Sequence, residues 1–157
     1  MVGPGVQRLG EFGTIFSDHT DTRPTILHLV GLSDDYAHDG RVLFEALTHD
    51  VLGKGLRAHQ DTLSALAAAY KAINAPLGTL GLGTLTGIST TALASDDATY
   101  TILEAQIQAI TTQRNNIAGQ MIAMLEAAAF NNQPIDEAKA GQLIREANDL
   151  LASISIP

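Results

Sequence analysis

Apolar residues recur along this chain in three long stripes with helical spacing. Leu52, Leu56, His59, Leu63, Leu66, Tyr70 and Ile73 fall at alternating steps of four and three, which puts them on one seam of a helix that Pro76 ends. Leu103, Ile107, Ile110, Arg114, Ile117, Met121, Met124 and Ala128 keep a heptad rhythm, broken only by the charge at Arg114. Ser95, then Asp96 and Asp97, opens that helix with a hydroxyl cap followed by acids at the positive end of the dipole. A turn of Asn131, Asn132, Gln133 and Pro134 follows. Ile135 then opens a last helix with Ala140, Leu143, Ala147, Leu150 and Ile154 on its seam. Two long helices joined by so tight a turn run antiparallel. The pattern predicts a three-helix antiparallel bundle or a helical hairpin over residues 51–157. Between the stripes, Leu77 to Leu93 alternates Gly, Thr, Leu and Ser without a charge, and reads as a packed loop or a flexible crossover.

The first fifty residues have a different texture. Gly3, Pro4, Gly5, Gly10 and Gly13 punctuate the start, permitting turns and one short strand, for which the β-branched and aromatic run Gly13–Phe16 is the candidate. Pro24 has the fixed φ that suits a first helical turn, with Asp21 or Thr22 as N-cap, Ile26, Leu27 and Val30 as an apolar face and Gly31 as the stop. Ser33 to Gly40 reads as a solvated acidic loop. Arg41 to about Thr48 reads as a second short helix burying Val42, Leu43 and Leu47. The fold class expected is therefore mainly α, with a short α/β remnant at residues 1–50 ahead of the helical subdomain.

Composition sharpens this picture at a few points. With 45% apolar and 17% charged residues, the 157-residue chain has a globular composition. Aromatics are 4% and Trp is absent, so helices pack through small and aliphatic side chains. A net charge of −8 disfavours a nucleic-acid backbone as partner. Cys is absent, so a metal must be held by His, Asp or Glu. There is no apolar run long enough to span a bilayer. The opening Met-Val-Gly-Pro-Gly-Val lacks the basic start and apolar core of a signal peptide and reads as a start in mid-domain.

Chemistry concentrates at Asp18, His19 and Asp21, at the junction of the expected strand and helix. Imidazole and carboxylate there suit a divalent cation, with Asp18 as a second oxygen donor. The plainer reading makes Asp21 an N-cap and His19 a surface residue. His28, His38, His49 and His59 are scattered without metal-ligand spacing. His59, on an apolar seam, reads as a hydrogen-bonded core or interface residue. Asp34, Asp35 and Asp39 lack the alternation and closing Glu of a calcium loop. Gly78, Gly81, Gly83 and Gly87 lack the Lys-Ser/Thr of a phosphate loop. Arg114 either reaches solvent or pairs with an acid such as Glu104 or Glu146.

The run His-Thr-Asp-Thr-Arg-Pro-Thr-Ile-Leu-His-Leu-Val-Gly, with Asp-Gly-Arg-Val-Leu after it, resembles the C-terminal part of alkaline phosphatase superfamily hydrolases, most closely the sulfatase-like and phosphodiesterase-like branches. Their recurrent pattern, Asp-x-x-Pro-Thr-x-Leu, a helix, Gly, then Asp-Gly-x-x-Leu, closes the α/β domain. The opening Met-Val-Gly-Pro-Gly-Val is similar to the strand before it, so the resemblance covers residues 1–50. It implies a metal-dependent phosphoric, or less readily sulfuric, ester hydrolase with zinc, or calcium in many sulfatases. It matches His19 to a late metal-ligating His, with Asp18 as second choice. Asp21, Pro24, Thr25, Gly31, Asp39 and Gly40 become structural neighbours.

The motif around a nucleophile and the upstream metal ligands of such enzymes are absent. The chain is thus expected to be a C-terminal portion, inactive alone, of a parent enzyme of a kind that is often exported. Its helical tail would pack on the missing catalytic domain or self-associate. The alternative is a stand-alone helical interaction or oligomerisation module without catalysis.

Overall fold

The computed structural model describes residues 3–11, 13, 16–92 and 97–154, with the backbone alone for 88–92. Helix α1 is Thr22–Val30, followed by the single turn α2 (Lys54–Arg57), α3 (Gln60–Asn74), α4 (Thr79–Ala92), α5 (Asp97–Asn131) and α6 (Glu137–Ser153). The chain is mainly α, as its stripes require. Helices α3, α5 and α6 each pack on the other two, so the helical part is a three-helix bundle.

The seams form its core. Leu63, Leu66, Tyr70 and Ile73 of α3, Ile117, Met121 and Leu125 of α5, and Leu143 and Leu150 of α6 are all buried. Ala67, Ala118, Ala128, Ala140 and Ala147 sit among them. These small side chains let helix backbones approach closely, and this is how so few aromatics fill the interior. At the α5–α6 turn, Asn132 takes a left-handed φ of 50°, which Asn tolerates well. The N–H of Gln133 then returns to the carbonyl of Ala127 at 3.1 Å. Asp136, one residue past the expected opening, caps α6 by accepting from the Lys139 N–H at 3.0 Å. The expected Ser95 cap of α5 lies outside the described residues.

Helix α5 has 35 residues against 17 in α6 and 15 in α3, so at about 1.5 Å per residue it outreaches both by more than 20 Å. Its overhanging first half is exposed at Tyr100 and Ile102.

Four expectations are corrected. Among the described residues no strand forms: the α/β remnant reduces to one antiparallel bridge between Val6 and Leu47, held by Gln7 N–H to Ala46 O at 2.8 Å and Thr48 N–H to Gly5 O at 2.9 Å. The candidate strand Gly13–Phe16 falls largely outside the described residues, and Phe16 itself is exposed. Arg41 to Thr48 is not an α-helix but an extended run with a 3-10 turn at Phe44–Ala46, because the N–H groups of Arg41 and Leu43 are bonded by side chains from elsewhere. The apolar members of the Leu52–Ile73 stripe and Tyr70 are buried as expected, yet the helix breaks at His59 (φ −123°, ψ 19°), which is half-exposed.

The charge-free stretch after Leu77 is helix α4, not a loop. Its glycines serve close approach: a Cβ on Gly81 would meet the Pro76 oxygen at 2.2 Å, and one on Gly78 the Lys71 oxygen at 2.5 Å. Thr84 and Thr86 return their hydroxyls to the carbonyls of Leu80 and Leu82, both at 2.8 Å. Packing on α3 thus overrides the weak helix propensity of Gly and Thr.

If this core carries the fold, Leu143→Ala should lower unfolding free energy by about 2–5 kcal/mol in urea titrations, whereas Ile102→Ala, on the exposed overhang, should change it by less than about 0.5 kcal/mol.

Candidate functional site

Charged side chains gather where the first fifty residues meet α3. Asp18 caps the 3-10 turn His19–Asp21, accepting from the Thr20 N–H at 3.0 Å and from the Thr20 hydroxyl. Asp21 closes the same box by accepting from the Asp18 N–H at 3.1 Å. The second Asp21 oxygen takes the Arg41 N–H at 2.9 Å. Lys71, in the last turn of α3, places its ammonium 2.9 Å from Asp18 Oδ2 and 3.0 Å from Asp21 Oδ1. Asp21, Thr25, Arg41 and Lys71 are all essentially solvent-free.

The residues that follow Asp21 complete this unit. The Thr25 hydroxyl donates to Asp21 O at 2.7 Å and accepts from the Leu43 N–H at 3.1 Å. Gly40 lies so close to the Thr20 carbonyl that a Cβ would stand 2.2 Å from it. The Arg41 guanidinium meets both carboxylate oxygens of Glu45. Gly31, with φ 69°, ends α1 while the Leu32 N–H returns to Leu27 O at 2.9 Å. Asp21 and Thr25, expected as neighbours, therefore share one hydrogen-bonded knot, against which Gly40, also expected there, packs closely.

Burial pushes the Asp18 carboxyl up, but hydrogen bonds from Thr20 and the Lys71 ammonium outweigh it and hold it below the usual carboxylate range. Burial, together with the Asp39 charge, pushes the Tyr70 hydroxyl up to about 12. That hydroxyl donates to the Asp39 carbonyl at 3.2 Å and accepts from Asn74 Nδ2 at 2.7 Å.

The histidines go to different places. His19 is exposed on the outer edge of the knot, beside an Asp18 whose oxygens already serve Thr20 and Lys71. His28 bonds the Ala129 carbonyl through Nδ1 at 2.8 Å. His38 pairs with Asp34 at 3.0 Å and stacks on Phe130. Asp34 also takes Arg23, so the acidic loop is folded back onto α1 and not merely solvated. His59 meets Glu137 at 2.7 Å, as its place on the seam suggested, and this bond holds the Glu137 carboxyl below its usual range. Arg114 reaches neither Glu104 nor Glu146 but bonds Asn74 Oδ1 at 3.2 Å.

Zinc takes three or four protein donors. Among the described residues no three His, Asp or Glu side chains converge for a metal, and no step is assigned to a metal here. Sequence reasoning missed Lys71 and Arg41. The signal for Lys71 was present: it stands four residues after Ala67 and eight after Leu63, on the buried stripe of α3.

Comparison with known proteins finds no family model that matches this chain, no similar curated protein and no similar solved structure. No helix among the described residues is long and apolar enough to cross a membrane.

Removing the cation leaves the solvent-free Asp21 carboxylate without its counter-ion, so Lys71→Met should destabilise by about 3–5 kcal/mol in chemical unfolding. Because the folded-state pKa of Asp18 is depressed, its contribution is present above the unfolded value of 3.8 and is lost as pH falls through the lower folded one. Stability measured below about pH 4 should therefore fall less steeply in Asp18→Asn than in the parent chain.

Proposed function

We propose that this chain is the C-terminal portion of a metal-dependent phosphoric ester hydrolase, acting on phosphodiesters in preference to sulfate esters. In this reading residues 1–50 close the catalytic α/β domain and the helical part, 51–157, braces it or mediates assembly. The observation that carries the reading is the knot of Asp21, Thr25, Gly40 and Arg41. Among the residues behind the sequence resemblance, Asp21, Thr25, Arg41 and Leu43 bond one another, and Gly40 packs closely on Thr20. His19, exposed at the edge of that knot, is the residue that would join zinc ligands contributed by the rest of the parent enzyme. This chain alone supplies neither the nucleophile nor the remaining ligands, and its own task is structural.

A second reading, a stand-alone helical interaction module, is favoured by Leu82 and Leu85 of α4 and Tyr100 and Ile102 of α5, all large, apolar and exposed.

An antibody against residues 103–154 separates the two. Under the hydrolase reading it should detect a band far above 16.5 kDa in the source cells. The immunoprecipitate should hydrolyse bis-p-nitrophenyl phosphate, lose that activity to a chelator and regain it with zinc. A band at 16.5 kDa whose purified protein is inert and oligomerises with concentration would overturn it in favour of the module.

A further inference from the structure

The apolar stripe of α5 loses its partner where α3 ends. Pro76 follows the end of α3, Gly78 and Gly81 of the next segment lie against the backbone of Lys71 and Pro76, and a cavity of about 220 Å³ remains between the end of α3, α4 and α5. Ile107 and Ile110 form part of its wall, and Asn74, Thr84, Thr111 and Arg114 supply polar atoms.

Arg114 is the unusual member. Among the described residues it makes no ion pair, although the chain carries a net charge of −8. Its Nε is buried with no hydrogen-bond partner. Its Nη1 is held by Asn74 Oδ1 at 3.2 Å. Asn74 cannot turn its amide around, because its Nδ2 serves the Tyr70 hydroxyl, which in turn is held by the Asp39 carbonyl. A guanidinium has five donors and no acceptors, so a fixed, partly buried one without a carboxylate is a donor fork awaiting an anion.

We propose that this cavity binds a small organic monocarboxylate with a short apolar body. The carboxylate accepts from Arg114, and the body lies against Ile107 and Ile110. The single cation and the apolar wall fit one negative charge; a phosphate dianion would bring a second charge with no partner out of water. The volume lies below the about 300 Å³ at which drug-sized pockets begin, so the body is short. This site is independent of the hydrolase reading and lies within one turn of Lys71 along α3, with its own partners.

The test is a titration of the chain with isocaproate, followed in two-dimensional amide NMR spectra. Saturable shifts confined to residues 73–84 and 107–114 are expected. The neutral isostere isocaproamide should bind about tenfold or more weakly, the weight of a charge-assisted hydrogen bond. Arg114→Gln should abolish the preference for the acid. If that variant fails to fold, Ile110→Trp, which fills the cavity and keeps the guanidinium, decides the matter: binding should be lost. Absence of saturable shifts, equal binding of acid and amide, or unchanged binding in a folded Ile110→Trp chain overturns the proposal.

Discussion

A chain with nine cations against seventeen acids has sunk one of those cations, the Lys71 ammonium, into its interior between Asp18 and Asp21. Neither the Lys71 ammonium nor the Asp21 carboxylate, both buried, tolerates that burial alone, since an unpaired ion out of water is strongly disfavoured. Together, and with the N–H groups of Asp18 and Arg41 on Asp21, they are satisfied. The arrangement has a narrow geometry. It works only when the turn His19–Asp21, the strand-like run at Arg41 and the last turn of α3 meet at one point. A buried ion pair of this kind adds little net stability over apolar packing. What it contributes is register, because a slip of either segment strands a charge.

The rest of the first fifty residues is arranged around that point. With Arg41 and Leu43 N–H groups committed to Asp21 and Thr25, the chain there runs extended and inserts Val42, Phe44 and Leu47 into the core. Helix α3 is the shared spine. Its lower seam packs the bundle, its Lys71 holds the N-terminal segment, and its Tyr70 and Asn74 pass a hydrogen-bond chain from the Asp39 carbonyl to Arg114. The knot and the α4–α5 cavity are thus connected through one element, although each has its own chemistry.

The knot is scaffold in its chemistry. Its carboxylates are occupied and its cations paired, which suits holding and not turnover. The His19 ring lies outside it, exposed to solvent. That division agrees with a lobe that positions a ligand for a centre built elsewhere, the reading proposed for this chain. The exposed apolar side chains of α4 and the overhanging half of α5 mark where a partner, in either functional reading, would remove apolar surface from water.

The long helices were legible in the residues alone, because a period of 3.6 and a Gly or Pro stop are local properties: the seams of α3, α5 and α6, the helix after Pro24 and the stop at Gly31 all follow from neighbours within a few positions. What only the tertiary structure decided involves partners far apart in the chain. Lys71 and Asp18 are separated by 53 residues, and Arg114 and Asn74 by 40, so no local pattern tells that one lysine is buried or which group an arginine will meet. The same holds for α4, whose glycines and threonines favour a loop until α3 offers a surface to lie on, and for Arg41–Thr48, whose helical spacing yields to hydrogen bonds offered by α1 and the turn before it. Periodicity is written in adjacent residues; the pairing of charges and the choice between helix and extended chain at weak positions come from the free energy of contacts formed only once the chain has closed on itself.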